Sequence, residues 1–235
     1  MRRIAILICT IALSMTSIYA ENYLGVQVGY AHSVARLNAA STPKTLHPIA
    51  YNGMKVGVVY DATIVKGFGV TMGLNYTFGA NSTDWTKKVT GQPGEFPQVC
   101  SRGQYHQLEI PVDWQYKFEI AKKTWFMLYT GPTLQCGLAF KESTYNQITS
   151  SGDITIDAKD RYNMKSVFAL NRLNVTWGVG AGLQYERYFI RGGYDFGLIN
   201  PYKSDVFNIS DEYSPYTRGR FDQWQLKIGM YLFNW

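Results

Sequence analysis

From Phe68 to Gly79 the chain alternates without a break, with Phe68, Val70, Met72, Leu74, Tyr76 and Phe78 at even positions and Gly69, Thr71, Gly73, Asn75, Thr77 and Gly79 at odd ones. Successive side chains of a strand point to opposite faces, so this pattern predicts a strand with one oily face and one small, polar face. The same rule predicts seven further strands, over Tyr23–Ala31, Tyr51–Asp61, Gln104–Phe118, Trp125–Phe140, Arg172–Glu186, Tyr188–Ile199 and Phe221–Trp235. Trp125–Phe140 is the least regular, because Trp125, Met127 and Tyr129 make its start apolar on both faces; Phe126, Leu128, Leu134, Cys136 and Leu138 are read as its oily side. No segment with helical periodicity competes.

The connections between these strands alternate in length. Residues 32–50, 80–103, 141–171 and 200–220 are long, whereas 62–67, 119–124 and 186–187 are short. A soluble sandwich has no reason to gather its long loops at one end, but a barrel in an outer membrane does so by construction. Each strand also has the roughly 9–11 residues that a tilted span requires. Backbone groups cannot stay unpaired in hydrocarbon, so such a sheet must close on itself. The predicted fold is all-β, an eight-stranded antiparallel up-and-down transmembrane β-barrel with short periplasmic turns and long extracellular loops.

The first 20 residues read differently. Arg2 and Arg3 precede an apolar run from Ile4 to Met15 that only Thr10 and Ser14 interrupt, and Thr16 to Ala20 ends on a small residue. This is the layout of a secretory signal peptide, with cleavage expected after Ala20. The domain reading is therefore a signal peptide over residues 1–20 and a barrel over 21–235. Removing 20 residues from 235 leaves 215, and losing two arginines lowers the formal charge from +6 to +4. That excess is too small to argue for nucleic acid. Beyond this leader no apolar run approaches the roughly 20 residues of a membrane helix, and 46% hydrophobic content excludes a disordered polar chain.

At eight strands a barrel interior is just wide enough to be filled by side chains. The charged residues on inward parity are Lys55, Asp61, Glu109, Asp113, Lys117, Arg172, Glu186, Arg191, Asp195 and Lys227. Both signs are present, which predicts a polar network held by ion pairs rather than an open aqueous pore. Glu109 and Asp113 lie about 13 Å apart along one strand, so they read as partners of Lys55, Lys117 or Arg191 and not as an acid–base pair. On the outward parity Tyr30, Tyr60, Phe68, Phe78, Tyr116, Phe118, Tyr185, Tyr188 and Trp224 gather near strand ends, as interfacial girdles do.

Dedicated chemistry is sparse. His32, His47 and His106 are scattered without ligand spacing, and neither a calcium loop nor a phosphate-binding glycine loop is present, so no metal, cofactor or catalytic site is predicted. His106, near Ser101, is the one residue a lipid hydrolase would place at the outer interface, but no Gly-x-Ser-x-Gly constellation accompanies it. Cys100 and Cys136 are the cysteines left after export, which makes them the candidate disulfide, pinning residues 80–103.

The stretch Leu108-Glu-Ile-Pro-Val-Asp-Trp-Gln-Tyr-Lys-Phe118, the Gly131-Pro132 step, the run Trp177-Gly-Val-Gly-Ala-Gly-Leu-Gln-Tyr185 and Tyr194-Asp-Phe-Gly197 resemble the outer-membrane β-barrel family, the porin-like small eight-stranded OmpA/OmpX-type barrels of Gram-negative bacteria. The resemblance covers essentially the whole mature chain and implies the cell outer membrane. It also implies a C-terminal aromatic signal for the barrel-assembly machinery, carried here by Tyr231, Phe233 and Trp235. These aromatics fall on the opposite parity from Leu226 to Leu232, so either the last strand carries a bulge or the signal ends at Phe233.

The expected partners are outer-membrane lipids, the assembly machinery and an extracellular ligand bound through the long loops, where Tyr202, Tyr213, Tyr216, Arg218 and Arg220 supply an aromatic and basic surface. No nucleic acid is expected, and a closed barrel has no edge that demands a second copy. The reading is a barrel with a side-chain-plugged lumen in a structural or surface-interaction role. The alternatives are a narrow solute channel and, behind it, an outer-leaflet lipid enzyme using His106.

Overall fold

Alternation is realised over longer spans than the sequence marks. The computed structural model describes residues 21–39, 45–65, 67–82, 86–87, 98–147, 154–163, 169–202 and 216–234. Within them run β1 (Glu21–Ala39), β2 (Thr45–Val65), β3 (Phe68–Ser82), β4 (Thr86–Lys87), β5 (Gln98–Ala121), β6 (Thr124–Gln147), β7 (Ile154–Asp160), β8 (Leu173–Tyr185), β9 (Tyr188–Gly197) and β10 (Tyr216–Asn234).

Eight of these form a closed ring, β1–β2–β3–β5–β6–β8–β9–β10 and back to β1, each pair antiparallel and each neighbour next in line along the chain. The two short strands lie outside the ring: β4 extends β5 and β7 extends β6, both at the long-loop end. The predicted alternation did not reach β7 or the ends of β5 and β6, which start at Gln98 and finish at Gln147. Lys141-Glu-Ser-Thr-Tyr-Asn-Gln147 is polar on both faces. Outside a bilayer the hydrogen-bond ladder continues without segregated faces, so period two no longer reports the strand.

Three tight connections, between Val65 and Phe68, Ala121 and Thr124, and Tyr185 and Tyr188, close the opposite end. Each uses one left-handed residue: Gly67 (φ 86°), Lys123 (φ 62°) and Glu186 (φ 51°). Such hairpins need positive φ to match the strand twist. At Gly67 a side chain is also barred by space, since an added Cβ would lie 2.0 Å from the Lys117 carbonyl oxygen.

The outer wall is apolar across the middle, with Val26, Val28, Val56, Val58, Met72, Leu74, Ile110, Leu134, Leu183, Ile190, Leu226 and Ile228 all exposed. Aromatics band it at two heights. Phe68, Tyr116, Phe118, Tyr185 and Tyr188 lie toward the short turns, and Tyr30, Tyr76 and Trp224 toward the long loops. In water such a surface would aggregate; in hydrocarbon it is the surface that belongs there.

Large side chains fill the two ends of the lumen. Val59, Met127, Phe189 and Tyr231 pack together near the short turns, with Tyr23 against them. Tyr51, Tyr105, Phe140, Tyr162, Leu170, Tyr202 and Phe221 close the long-loop end. The doubly apolar start of β6 is thereby explained, since Met127 and Tyr129 point inward while Leu128 faces out. Tyr129 lies along the inner wall over its cross-strand partner Gly180 on β8 and Gly193 on β9, where an added Cβ would fall 2.3 and 2.6 Å from the ring and its hydroxyl.

Candidate functional site

A polar layer built by the inward positions of all eight ring strands runs from beneath the long-loop cluster down into the short-turn cluster, where Asp61 lies opposite Tyr23 and Lys117 opposite Met127. Lys55 on β2 reaches Glu109 on β5 at 2.5 Å, and both side chains are 1% exposed. Glu109 also accepts hydrogen bonds from Thr77 and Gln107, each at 2.7 Å. Lys55 donates further to Gln223 at 3.0 Å and Gln225 at 2.6 Å on β10, and Gln225 in turn donates to Asp195 at 2.8 Å. One ammonium thus ties β2 to β5 and β10, and through Gln225 to β9.

A second knot lies closer to the short turns, around Asp61. Its carboxylate meets Lys117 Nζ at 2.8 Å and Arg191 Nη2 at 3.0 Å. It also accepts from the Tyr231 hydroxyl and from Gln115. Lys117 stands over the rings of Tyr23 and Tyr231, 5.4 and 5.6 Å from their centroids, and so closes the knot from below. Buried charges persist when each has both a counter-charge and hydrogen-bond partners, and Asp61 has both.

Eight of the ten charges assigned to the lumen are inside it. Lys55, Lys117, Arg191 and Lys227 supply four positive charges and Asp61, Glu109, Asp113 and Asp195 four negative ones, so the buried set is neutral. Asp113 and Lys227 belong to this layer without a direct ion pair among the described residues. Asp113 therefore departs from the expectation of a salt bridge, while Glu109 meets Lys55.

The other two are outside. Arg172 precedes β8 at the long-loop mouth, exposed, with its guanidinium 5.0 Å over the Tyr162 ring and donating to the carbonyls of Gly137 and Leu138. Strand β8 begins at Leu173, so the parity used to place Arg172 inward does not extend to it. Glu186 occupies the hairpin between β8 and β9, where alternation ends, and pairs with Lys123 of the neighbouring turn at 2.6 Å. That hydrogen bond holds the Glu186 carboxyl below the usual carboxylate range.

The disulfide reading is corrected. Cys100 and Cys136 are not joined. Cys100 lies opposite Tyr145 and Cys136 opposite Leu108, so along β5 the two are eight rungs apart, or about 27 Å at strand rise. A disulfide needs Cα atoms within about 7 Å.

His106 and Ser101 are not brought together either. They sit five residues apart on β5, about 17 Å, on opposite faces. His106 faces outward, with Nδ1 2.5 Å from the Tyr76 hydroxyl and its ring against Phe78. His32, expected in a loop, lies in β1, bonded to Asn52 at 2.8 Å and with its ring tilted against Trp224. His47 falls within β2.

At the chain end, the β1–β10 register slips one residue between Leu24 and Gly25, so that Leu24 pairs with Phe233 and Gly25 with Tyr231. This bulge resolves the parity conflict: Tyr231 stays inward at 3% exposure and Phe233 turns outward at 61%. Trp235 lies outside the described residues. So do Tyr213 and the side chains of Tyr216 and Arg218, while Tyr202 is buried in the long-loop cluster rather than displayed.

Sequence reasoning missed the aromatic closure of the long-loop end. Tyr162, Leu170 and Tyr202 come from connecting segments, joined by a bridge between Leu170 and Tyr202, and no periodicity marks them. Beneath them lies a cavity of about 40 Å³ bordered by Gln107, Gln135 and Asn174.

The family model for the outer membrane protein beta-barrel domain matches residues 17–203. No curated protein matches the sequence. Among solved structures the chain is similar to Ail, the attachment invasion locus protein of Yersinia pestis, in complex with the heparin analogue sucrose octasulfate, at 11% identity, 92% of this chain, 100% of that one and a TM-score of 0.42. It is similar to Neisserial surface protein A at 13% identity, 88% and 96% coverage and a TM-score of 0.37. It is also similar to the N-terminal β-barrel domain of Pseudomonas aeruginosa OprF at 11% identity, 87% and 97% coverage and a TM-score of 0.28.

Proposed function

Because the chain belongs to the family of outer membrane protein beta-barrel domains, we propose that it acts there as a closed barrel, its lumen a structural tie and its long-loop end the surface that meets partners. The protein resides in the outer membrane, short turns toward the periplasm and long loops outside.

One observation carries the closed-lumen reading. The four cations and four anions of the inward polar layer are each at most 6% exposed, and Lys55, Glu109, Asp61 and Arg191 at most 2%. A conducting path would hydrate these groups. Here protein groups stand where water would, and the Lys55 and Asp61 knots link strands on several sides of the wall. Opening the barrel would require breaking both knots together.

The remaining roles follow from placement. Outer-membrane lipids meet the apolar belt and its aromatic bands. The assembly machinery would read the outward Phe233 and the terminal Trp235. A ligand on the cell exterior would meet the extended hairpin of β6 and β7 and the neighbouring segments, and a ring without an edge serves as a monomer. His106, held by Tyr76, is an interfacial hydrogen-bonding residue, and His106→Ala leaves the phospholipid and lipid A profiles of the cell unchanged.

The test is single-channel recording of the refolded protein in a planar bilayer. Folded protein should give no stable conductance steps. Steps of fixed size would refute the closed lumen and make solute transport the working function.

A further inference from the structure

Just above Trp224, toward the long loops, a carboxylate lies on the outer wall and is nonetheless buried. Asp222 has outward parity on β10, yet its side chain is 1% exposed, flanked by two arginines and hydrogen-bonded to Tyr194. Arg220 Nη2 and Nε approach its Oδ2 at 2.8 and 2.9 Å, and Arg36 Nε at 3.5 Å. Its Oδ1 accepts the Gly197 backbone N–H at 3.1 Å, which fixes the carboxylate to β9. Arg36 and Arg220 are direct cross-strand partners in the β1–β10 ladder.

Two like charges opposite each other in a ladder repel. One carboxylate between them removes half the charge and leaves a net positive site, with the arginine side chains 41% and 45% exposed. The surroundings are amphiphilic. Below the pair, Trp224 packs against Tyr30 and His32 in tilted contacts, at ring separations of 5.2 and 5.8 Å. Beside it, Phe196, Leu198 and Ile199 are exposed. Guanidinium forks match phosphate geometry and bind it with charge-assisted hydrogen bonds.

We propose that Arg36 and Arg220 clamp a lipid-borne phosphate in the outer leaflet, with Asp222 as the positioning residue that sets the angle between the two guanidinium groups. A free inorganic anion would use the arginines and leave the adjoining apolar and aromatic surface idle. A phosphorylated lipid uses both, its acyl chains on the wall and its phosphate at the pair. The inference rests on the outer-membrane placement and not on the closed lumen, so conductance measurements leave it untouched.

Native mass spectrometry of the folded protein in neutral detergent tests it, with bis-phosphorylated lipid A, the same lipid stripped of phosphate, and inorganic phosphate as probes. The phosphorylated lipid should bind wild type more tightly than the stripped lipid. R36Q/R220Q, checked as folded by its heat-dependent gel shift, should lose roughly tenfold to thirtyfold in affinity for the phosphorylated form alone. R36K/R220K should fall between, because charge survives and the fork does not. A salt series on wild type gives a second readout that needs no variant: the preference for the phosphorylated lipid should shrink as salt rises. Equal retention of both lipids, a salt-independent preference, or a folded double variant with unchanged affinity overturns the proposal. Inorganic phosphate binding as tightly as the lipid would also overturn it, making the pair a free-anion site.

Discussion

Replacing Asp61 with Asn is the sharpest probe of the lumen. The side chain keeps its size, but Lys117 at 2.8 Å and Arg191 at 3.0 Å lose their shared counter-charge, and the new amide presents a donor where Lys117, Arg191, Gln115 and Tyr231 also donate. Removing one partner of a buried ion pair costs about 3–5 kcal/mol, because the remaining charge stays buried without compensation. With m-values of about 1–3 kcal/mol/M for urea, the unfolding midpoint should fall by roughly 1–5 M. Urea unfolding in phosphatidylcholine vesicles, followed by tryptophan fluorescence, reads this directly. The triple variant D61N/K117M/R191M, which removes the orphaned cations as well, should recover most of the loss. If D61N unfolds within about 1 kcal/mol of wild type, well below the cost of an orphaned buried charge, the knot does not hold the barrel. In that case water already hydrates the lumen, and the closed-barrel reading fails with it.

Gly180→Val should destabilise by about 1–3 kcal/mol, since an added Cβ meets the Tyr129 ring at 2.3 Å and the Gly192 carbonyl at 2.5 Å; urea midpoints measure it. Intact mass of the oxidised, purified protein should be unchanged by reductant, and Cys100 and Cys136 should both label after unfolding; a two-dalton shift would contradict their eight-rung separation. The exposed pair of Lys123 and Glu186 gives a small pH effect of defined sign. Because the Glu186 carboxyl is depressed in the folded protein, its contribution is present above the unfolded pKa and fades as pH falls through the lower folded value. Acid unfolding of E186Q should lack that component, and a stabilisation that grew on acidification would show the sign to be wrong.

The ring of strands was legible because a lipid-facing wall demands unbroken apolar parity, and Phe68 to Gly79 or Leu226 to Met230 cannot satisfy that demand by accident. Most of the inward charges were legible for the complementary reason. What parity could not supply was pairing: Asp61 and Arg191 meet across 130 positions, and only the stagger of the barrel decides who faces whom. Stagger also undid the disulfide, since neighbouring strands brought Cys100 and Cys136 into one ladder at the wrong heights. Where the chain leaves the bilayer the signal ends, so β7, Arg172 and the Tyr162–Leu170–Tyr202 closure carried no mark in the sequence.

The seam between β1 and β10 has a kinetic corollary. Tyr23 pairs with Asn234, at positions 23 and 234, so the contact that completes the ring joins residues 211 apart. Contacts of such high sequence separation form late, after the entropy of closing the intervening chain has been met. Until then both terminal strands present raw edges, and Asp61 waits for Tyr231. An unfolded chain can therefore pair its hairpins from the first turn onward, yet the native ring is complete when β10 docks on β1, which makes that strand the timing element of folding.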